Sequence, residues 1–400
     1  MTKRLLALVG GAALIAAVVM VLRPSAPSPA LQTPWGAPDL QGLWTYEVEV
    51  PLQRSARFAG RDRITDDERA AIDKERAEIL GRSAAVSDRR YAKGTEQDVG
   101  GAYNAAVFTT HRPLGQRTSL IVDPEDGRIP PLTPDAEKKR AEIRAFQLAL
   151  LQATDVCREG LPGCAGGKYG SPSPLRAGTP PHYLTVAVNR ANGPEDRSLA
   201  ERCMGAILPD FGGNTGFLLQ IIQSPDAVAI YYDTAQGQGW QRLIPVRSGA
   251  HLPPHVRQWR GNSRAHWEGD TLVVDVTNFS PKTLFQGSSE NLRLTERWRR
   301  VDATTIEYTV TMGDPEVWTR PWTVRQEYKK QDDAQNRIYK EPRCHEGNYG
   351  MTALLSGARA EERAFAERRG PDPATRCTAG CGGFAAGFAD TGEEANPLTR

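Results

Sequence analysis

The chain has 400 residues, with 50 Lys+Arg against 48 Asp+Glu and a formal net charge of +2. That balance excludes a nucleic-acid binder driven by basic excess, and equally an acidic solvating segment. Its 38 Gly and 29 Pro exceed ordinary usage, which favours turns and long loops over a helix bundle.

The N-terminus opens with the basic run Met1 to Arg4, then an apolar stretch from Leu5 to Leu22 and a Pro-rich segment from Arg23. Two readings stay open. One is a secretory signal cleaved after Ala30, where Ser28 and Ala30 supply the small residues. The other is an uncleaved inner-membrane anchor, because the apolar stretch approaches the length of a span. Either places the remainder outside the cytoplasm, in the periplasm or secreted. The expected organisation is 1–30 signal or anchor, 31–37 linker, 38–369 one β-rich domain with helical insertions, and 370–400 a flexible Gly-rich tail with a Cys pair.

Asp39 to Val50 alternates as a strand does. Thr65 and Glu68 form a capping-box pattern that opens a charged helix to about Leu80. A polar stretch from Gly81 to Tyr103 follows, then a predicted strand over Thr118 to Val122, ended by the turn D-P-E-D-G. Thr133 with Pro134 starts a helix reaching about Ala153, with proline at the tolerated first position. A long Gly/Pro loop then runs to about Pro181. From Gly216 strands dominate: F-L-L-Q-I-I-Q, V-A-I-Y-Y, Q-R-L-I-P-V, T-L-V-V-D-V, L-R-L-T-E-R-W, T-I-E-Y-T-V-T-M and T-V-R-Q-E-Y. Short strands separated by regular turn signals indicate an antiparallel sheet, as a lipocalin-like β-barrel or a sandwich, with peripheral helices and long loops. A last amphipathic helix covers about Met351 to Arg368.

The six cysteines, Cys157, Cys164, Cys203, Cys344, Cys377 and Cys381, suit disulfides in an exported chain. The favoured pairing is Cys157–Cys164 and Cys377–Cys381 as local loops, with Cys203 joining Cys344. Gly42-Leu43-Trp44 matches the G-x-W pattern at the start of lipocalin-like barrels. Trp240, Trp259, Trp267, Trp298, Trp318 and Trp322 fall on or beside predicted strands. Most of these indoles are read as core packing, since aromatics dominate cores.

Five long segments carry a resemblance: G-R-I-P-P-L-T-P (127–134), H-L-P-P-H-V-R-Q-W (251–259), H-W-E-G-D-T-L-V-V-D-V-T-N-F (266–279), G-S-S-E-N-L-R-L-T-E-R (287–297) and R-C-H-E-G-N-Y-G-M (343–351). From about Asp39 to about Glu362 the chain resembles a family of secreted bacterial proteins. The resemblance implies an exported, β-rich, lipocalin-like protein. It also implies that histidine recurs at the positions of His251, His266 and His345, less so at that of His255. It assigns no reaction.

The chemistry concentrates in 251–275 and 343–351, two aromatic-rich polar stretches read as loops on a β frame. His345, Glu346 and His266 are the candidate acid/base residues, because imidazole exchanges protons near neutrality. His251, Arg257, Trp259, Arg264, Trp267 and Tyr349 are the candidate substrate-binding residues, with the guanidiniums suited to a carboxylate or phenolate. The plainer reading of W-E-G-D-T-L is a hairpin turn at Gly269-Asp270, with Glu268 solvated and His266 on the sheet edge. No cofactor is implied: neither a P-loop nor a dinucleotide fingerprint occurs in β–α context, and G-x-S-x-G is missing.

The leading expectation is a cofactor-free isomerase, cyclase or lyase acting on a small hydrophobic molecule such as a terpenoid, steroid or aromatic. A non-catalytic binding protein with the same cavity is the first alternative. A metal-dependent hydrolase using His251, His255 and His266 is the second. The expected partner in each case is a small molecule, not nucleic acid, with membrane contact only through the N-terminal anchor.

Overall fold

The computed structural model describes residues 31–75, 112–179, 188–199, 201–204, 207–211, 217–234, 239–247, 249–331 and 349–377. The strands are β1 (Gly42–Thr45), β2 (Ile121–Asp123), β3 (Phe217–Gln223), β4 (Ala227–Thr234) and β5 (Trp240–Pro245). They continue as β6 (Asn262–Glu268), β7 (Thr271–Thr277), β8 (Arg293–Asp302), β9 (Thr305–Gly313) and β10 (Trp322–Lys330). All belong to one sheet, ordered β5-β4-β3-β1-β10-β9-β8-β7-β6, with β2 paired to β10 outside that path. Every named pairing is antiparallel. The sheet curls into a nearly closed antiparallel barrel. The sandwich left open by the sequence is not formed.

Setting β2 aside leaves nine of the ten strands in the ring. An odd number cannot alternate all the way round, so one neighbouring pair must run parallel. That pair is β5 and β6, whose contact is the isolated parallel bridge Val246–Ala265, reinforced by Arg242 Nε donating to Ser263 Oγ at 2.9 Å. Parallel neighbours need a long crossover. Residues 246–261 supply it, and they contain H-L-P-P-H-V-R-Q-W.

The register separates two ends. At one, β3–β4, β6–β7 and β8–β9 are joined by tight turns. Gly269, first in the β6–β7 turn, has φ 61°, as a type II′ turn requires. Leu40 closes this end: its N–H donates to Gln223 Oε1 at 2.6 Å and its carbonyl accepts from Trp44 Nε1 at 3.0 Å. At the other end lie the longer connections 278–292 and 314–321 and the arrival of the crossover. Leu208 is buried in the main core there, and Phe211 meets Phe285 edge-on at 6.3 Å.

Helix α1 (Pro134–Leu151) starts as the sequence indicates, with Thr133 Oγ1 accepting from Ala136 N–H at 3.2 Å. The capping box also forms, Thr65 N–H donating to Glu68 Oε2 at 2.8 Å and Glu68 N–H to Thr65 Oγ1 at 3.2 Å. Helix α2 covers Tyr349–Ala366. Cys157 and Cys164 form a disulfide beside α1, and Cys203 and Cys377 are also disulfide-bonded. The pairings expected with Cys344 and Cys381 fall outside the described residues, as does the N-terminal 1–30 segment. Among the described residues no helix is long and apolar enough to cross a membrane.

Candidate functional site

Strand alternation decides what enters the barrel. In β5, Trp240, Arg242 and Ile244 point inward while Leu243 is 69% exposed outside. In β8, Leu294, Glu296 and Trp298 point inward between outward Thr295 and Arg297. The result is a guanidinium and a carboxylate in an aromatic interior, with Arg242 Nη2 and Glu296 Oε2 2.7 Å apart and Glu296 wholly buried. Tyr308 donates to Glu296 Oε1 at 2.9 Å, and Tyr232 lies beside Arg242. Trp298 covers the group toward the tight-turn end, 4.2 Å from Tyr308 and 5.9 Å from Tyr328 between ring centres. Toward the long-loop end Tyr232 stacks on Trp240 at 4.0 Å, and the Arg260 guanidinium caps the indole at 4.3 Å.

This polar island is only partly satisfied. Arg242 Nη2 and Glu296 Oε2 pair as opposite charges at 2.7 Å and the Tyr232 hydroxyl also meets the guanidinium, but the geometry leaves Nη1, Nη2 and Oε2 short of a full set of hydrogen bonds. Burial pushes the phenols of Tyr232, Tyr308 and Tyr328 above the ordinary tyrosine range; for Tyr308 the Glu296 charge adds to it. Burial also works against the Arg242 charge, but Glu296 more than offsets it, and the guanidinium holds its proton more firmly than usual.

The residues singled out from sequence go elsewhere. Residues 262–268, read as loop, form β6, whose inward positions are Ser263, Ala265 and Trp267. Trp267 packs against the core, whereas Arg264 and His266 take the outward face. His266 Nε2 is 3.1 Å from Glu268 Oε1, and Glu268 Oε2 accepts from Arg297 Nη2 at 2.7 Å. Arg297, then His266, holds the Glu268 carboxyl below its usual range. An interior role for His266 is therefore corrected: alternation in β6 turns it to solvent.

His251, Arg257 and Trp259 sit on the crossover. His251 Nδ1 lies 3.1 Å from Asn262 Oδ1, Arg257 Nη1 donates to the Glu290 carbonyl at 2.7 Å, and the Arg202 guanidinium stands over Trp259 at 5.6 Å. The loop is clamped by Asn278, in left-handed conformation with φ 59°, whose amide donates to the carbonyls of Leu252, Pro253 and Val256. Among the described residues no three His, Cys, Asp or Glu side chains group to hold a metal ion. The triad His251, His255 and His266 is thus not assembled, and the hydrolase alternative loses its ligand set. His345, Glu346 and the Tyr349 side chain lie outside the described residues.

No protein-family model matches the chain, and comparison with curated proteins also finds no match. Among solved structures, wild-type fluorescent protein UnaG is 18% identical, over 33% of this chain and 85% of that one, with TM-score 0.21. A UnaG variant is 16% identical over 33% and 86%, also at 0.21. A secretary abundant heat soluble protein from Ramazzottius varieornatus is 16% identical over 31% and 77%, at 0.22. The assignment as a barrel rests on the strand pairing described above.

Proposed function

We propose that the chain is an exported binding barrel for a small, mainly apolar molecule, received at the long-loop end and held beside Arg242 and Glu296. The observation that carries this reading is the incompletely satisfied ion pair inside an aromatic barrel. Stability alone does not call for it, because apolar residues of similar volume replace buried ion pairs with little or no loss. Barrels of this size hold one small ligand, with polar groups fixing its orientation. The interior side chains are almost wholly buried, so a guest enters by displacing the Leu208–Phe211 segment and the Tyr232–Trp240 stack at the mouth. Disulfide bonding supports an oxidising compartment and hence export. The sequence resemblance to a family of secreted bacterial proteins fits the same reading.

Acid/base catalysis is the weaker reading. None of the three described histidines occupies an inward strand position. The test is titration with N-phenyl-1-naphthylamine, a neutral apolar dye. Saturable dye enhancement with quenching of tryptophan emission is expected; purely linear, unsaturable dye uptake would sink the binding barrel.

A further inference from the structure

Resting on that reading, we infer that the guest's polar group is uncharged and both accepts and donates: a carboxamide, or a carboxylic acid bound with its proton. Arg242 and Glu296 are 5% and 0% exposed, and their opposite charges cancel. An anion added beside them would leave one uncompensated negative charge in a dry interior, which is strongly disfavoured. If a carboxylate did displace Glu296 from Arg242, the freed carboxylate would have to take up a proton. In either case one proton enters with the acid, held on the guest or on Glu296, and the net charge stays unchanged.

The hydrogen-bond inventory agrees. Ser263 uses Arg242 Nε, and Tyr308 uses Glu296 Oε1. Nη2 and Oε2 also engage each other at 2.7 Å and Tyr232 meets the guanidinium, which leaves spare hydrogens on the guanidinium and a second lone pair on Oε2. A carboxamide matches this pair, its carbonyl accepting from the guanidinium and its N–H donating to the carboxylate. A ketone or ether uses only the donors, and a sulfonate only the donors while adding charge. Other ionisable groups facing the island are Tyr232 from β4, Tyr328 from β10, and Asp210 and Arg260 at the mouth.

The test uses the full chain and four probes of one shape: 2-methylnaphthalene, 2-naphthamide, 2-naphthoic acid and naphthalene-2-sulfonate, followed by tryptophan fluorescence. Naphthamide should bind roughly tenfold or more tighter than methylnaphthalene, as hydrogen bonds to buried charges imply. Its affinity should be flat between about pH 6 and 8, while that of naphthoic acid falls about tenfold per pH unit, since only the protonated form enters. The sulfonate should bind no better than methylnaphthalene. Tight sulfonate binding, or a pH-independent affinity for the acid, overturns the inference. So does naphthamide binding no tighter than methylnaphthalene, though the barrel reading then survives. If no probe binds, the barrel reading falls and the inference goes with it. The double variant Arg242→Met/Glu296→Met should lose the advantage of naphthamide over methylnaphthalene; a retained advantage also overturns the assignment.

Discussion

Two ion pairs on the same barrel, one inside and one outside, differ chiefly in their surroundings. Arg242–Glu296 is sealed among aromatic rings, whereas His266, Glu268 and Arg297 form a chain that water reaches from all sides, each 44% or more exposed. The outer group has the histidine that draws attention in a sequence. The inner group has the energetic weight, because charges removed from water are costly unless paired, and surface pairs contribute little.

The sharpest way to break this comparison is to remove one inner partner. Glu296→Ala leaves a buried guanidinium uncompensated and should cost about 3–5 kcal/mol in urea unfolding. Arg242→Met/Glu296→Met removes both charges and should return to within about 1 kcal/mol of the parent, or exceed it. A double variant as damaged as the single would show that the pair acts through packing alone. Next in size is the response of the tyrosines to alkali. With folded pKa values raised, Tyr232, Tyr308 and Tyr328 contribute stability that is complete below the ordinary tyrosine range and lost as pH rises toward their folded values. Ultraviolet difference titration should therefore show these three ionising only as the barrel unfolds; early, reversible ionisation of all tyrosines contradicts the dry interior.

The smallest effect belongs to the outer pair. The Glu268 carboxyl is depressed, so its contribution is present above the usual carboxylate range and disappears as pH falls through the folded value. Glu268→Gln should differ slightly from the parent at neutral pH and converge with it in acid. A gap that widens in acid would be inconsistent with this assignment.

Much of the fold was legible. The strands from β3 onward were readable from alternation and turns, except β6, and α1 from its Thr133-Pro134 start. Strand β6 was hidden because its inward side carries Ser263 and Ala265, too small to make an apolar alternation, while Arg264 and His266 occupy the outward side. That one misreading turned a solvated strand face into an apparent binding loop. The real island left a trace in L-T-E-R-W and W-Q-R-L-I, where a charge occupies the inward phase between apolar residues. The ion pair itself was not legible, because β5 and β8 meet only across a closed ring and sequence does not state that closure. Much of H-L-P-P-H-V-R-Q-W proves to be connection, clamped by Asn262 and Asn278.

A ring with an odd number of staves has one joint that cannot be nailed like the others. Among the described residues, the joint between β5 and β6 has a single backbone bridge and one side-chain latch. Its amides should trade hydrogen for deuterium sooner than those of the continuous ladders. Widening at that joint would let the wall stretch while every hairpin stays intact.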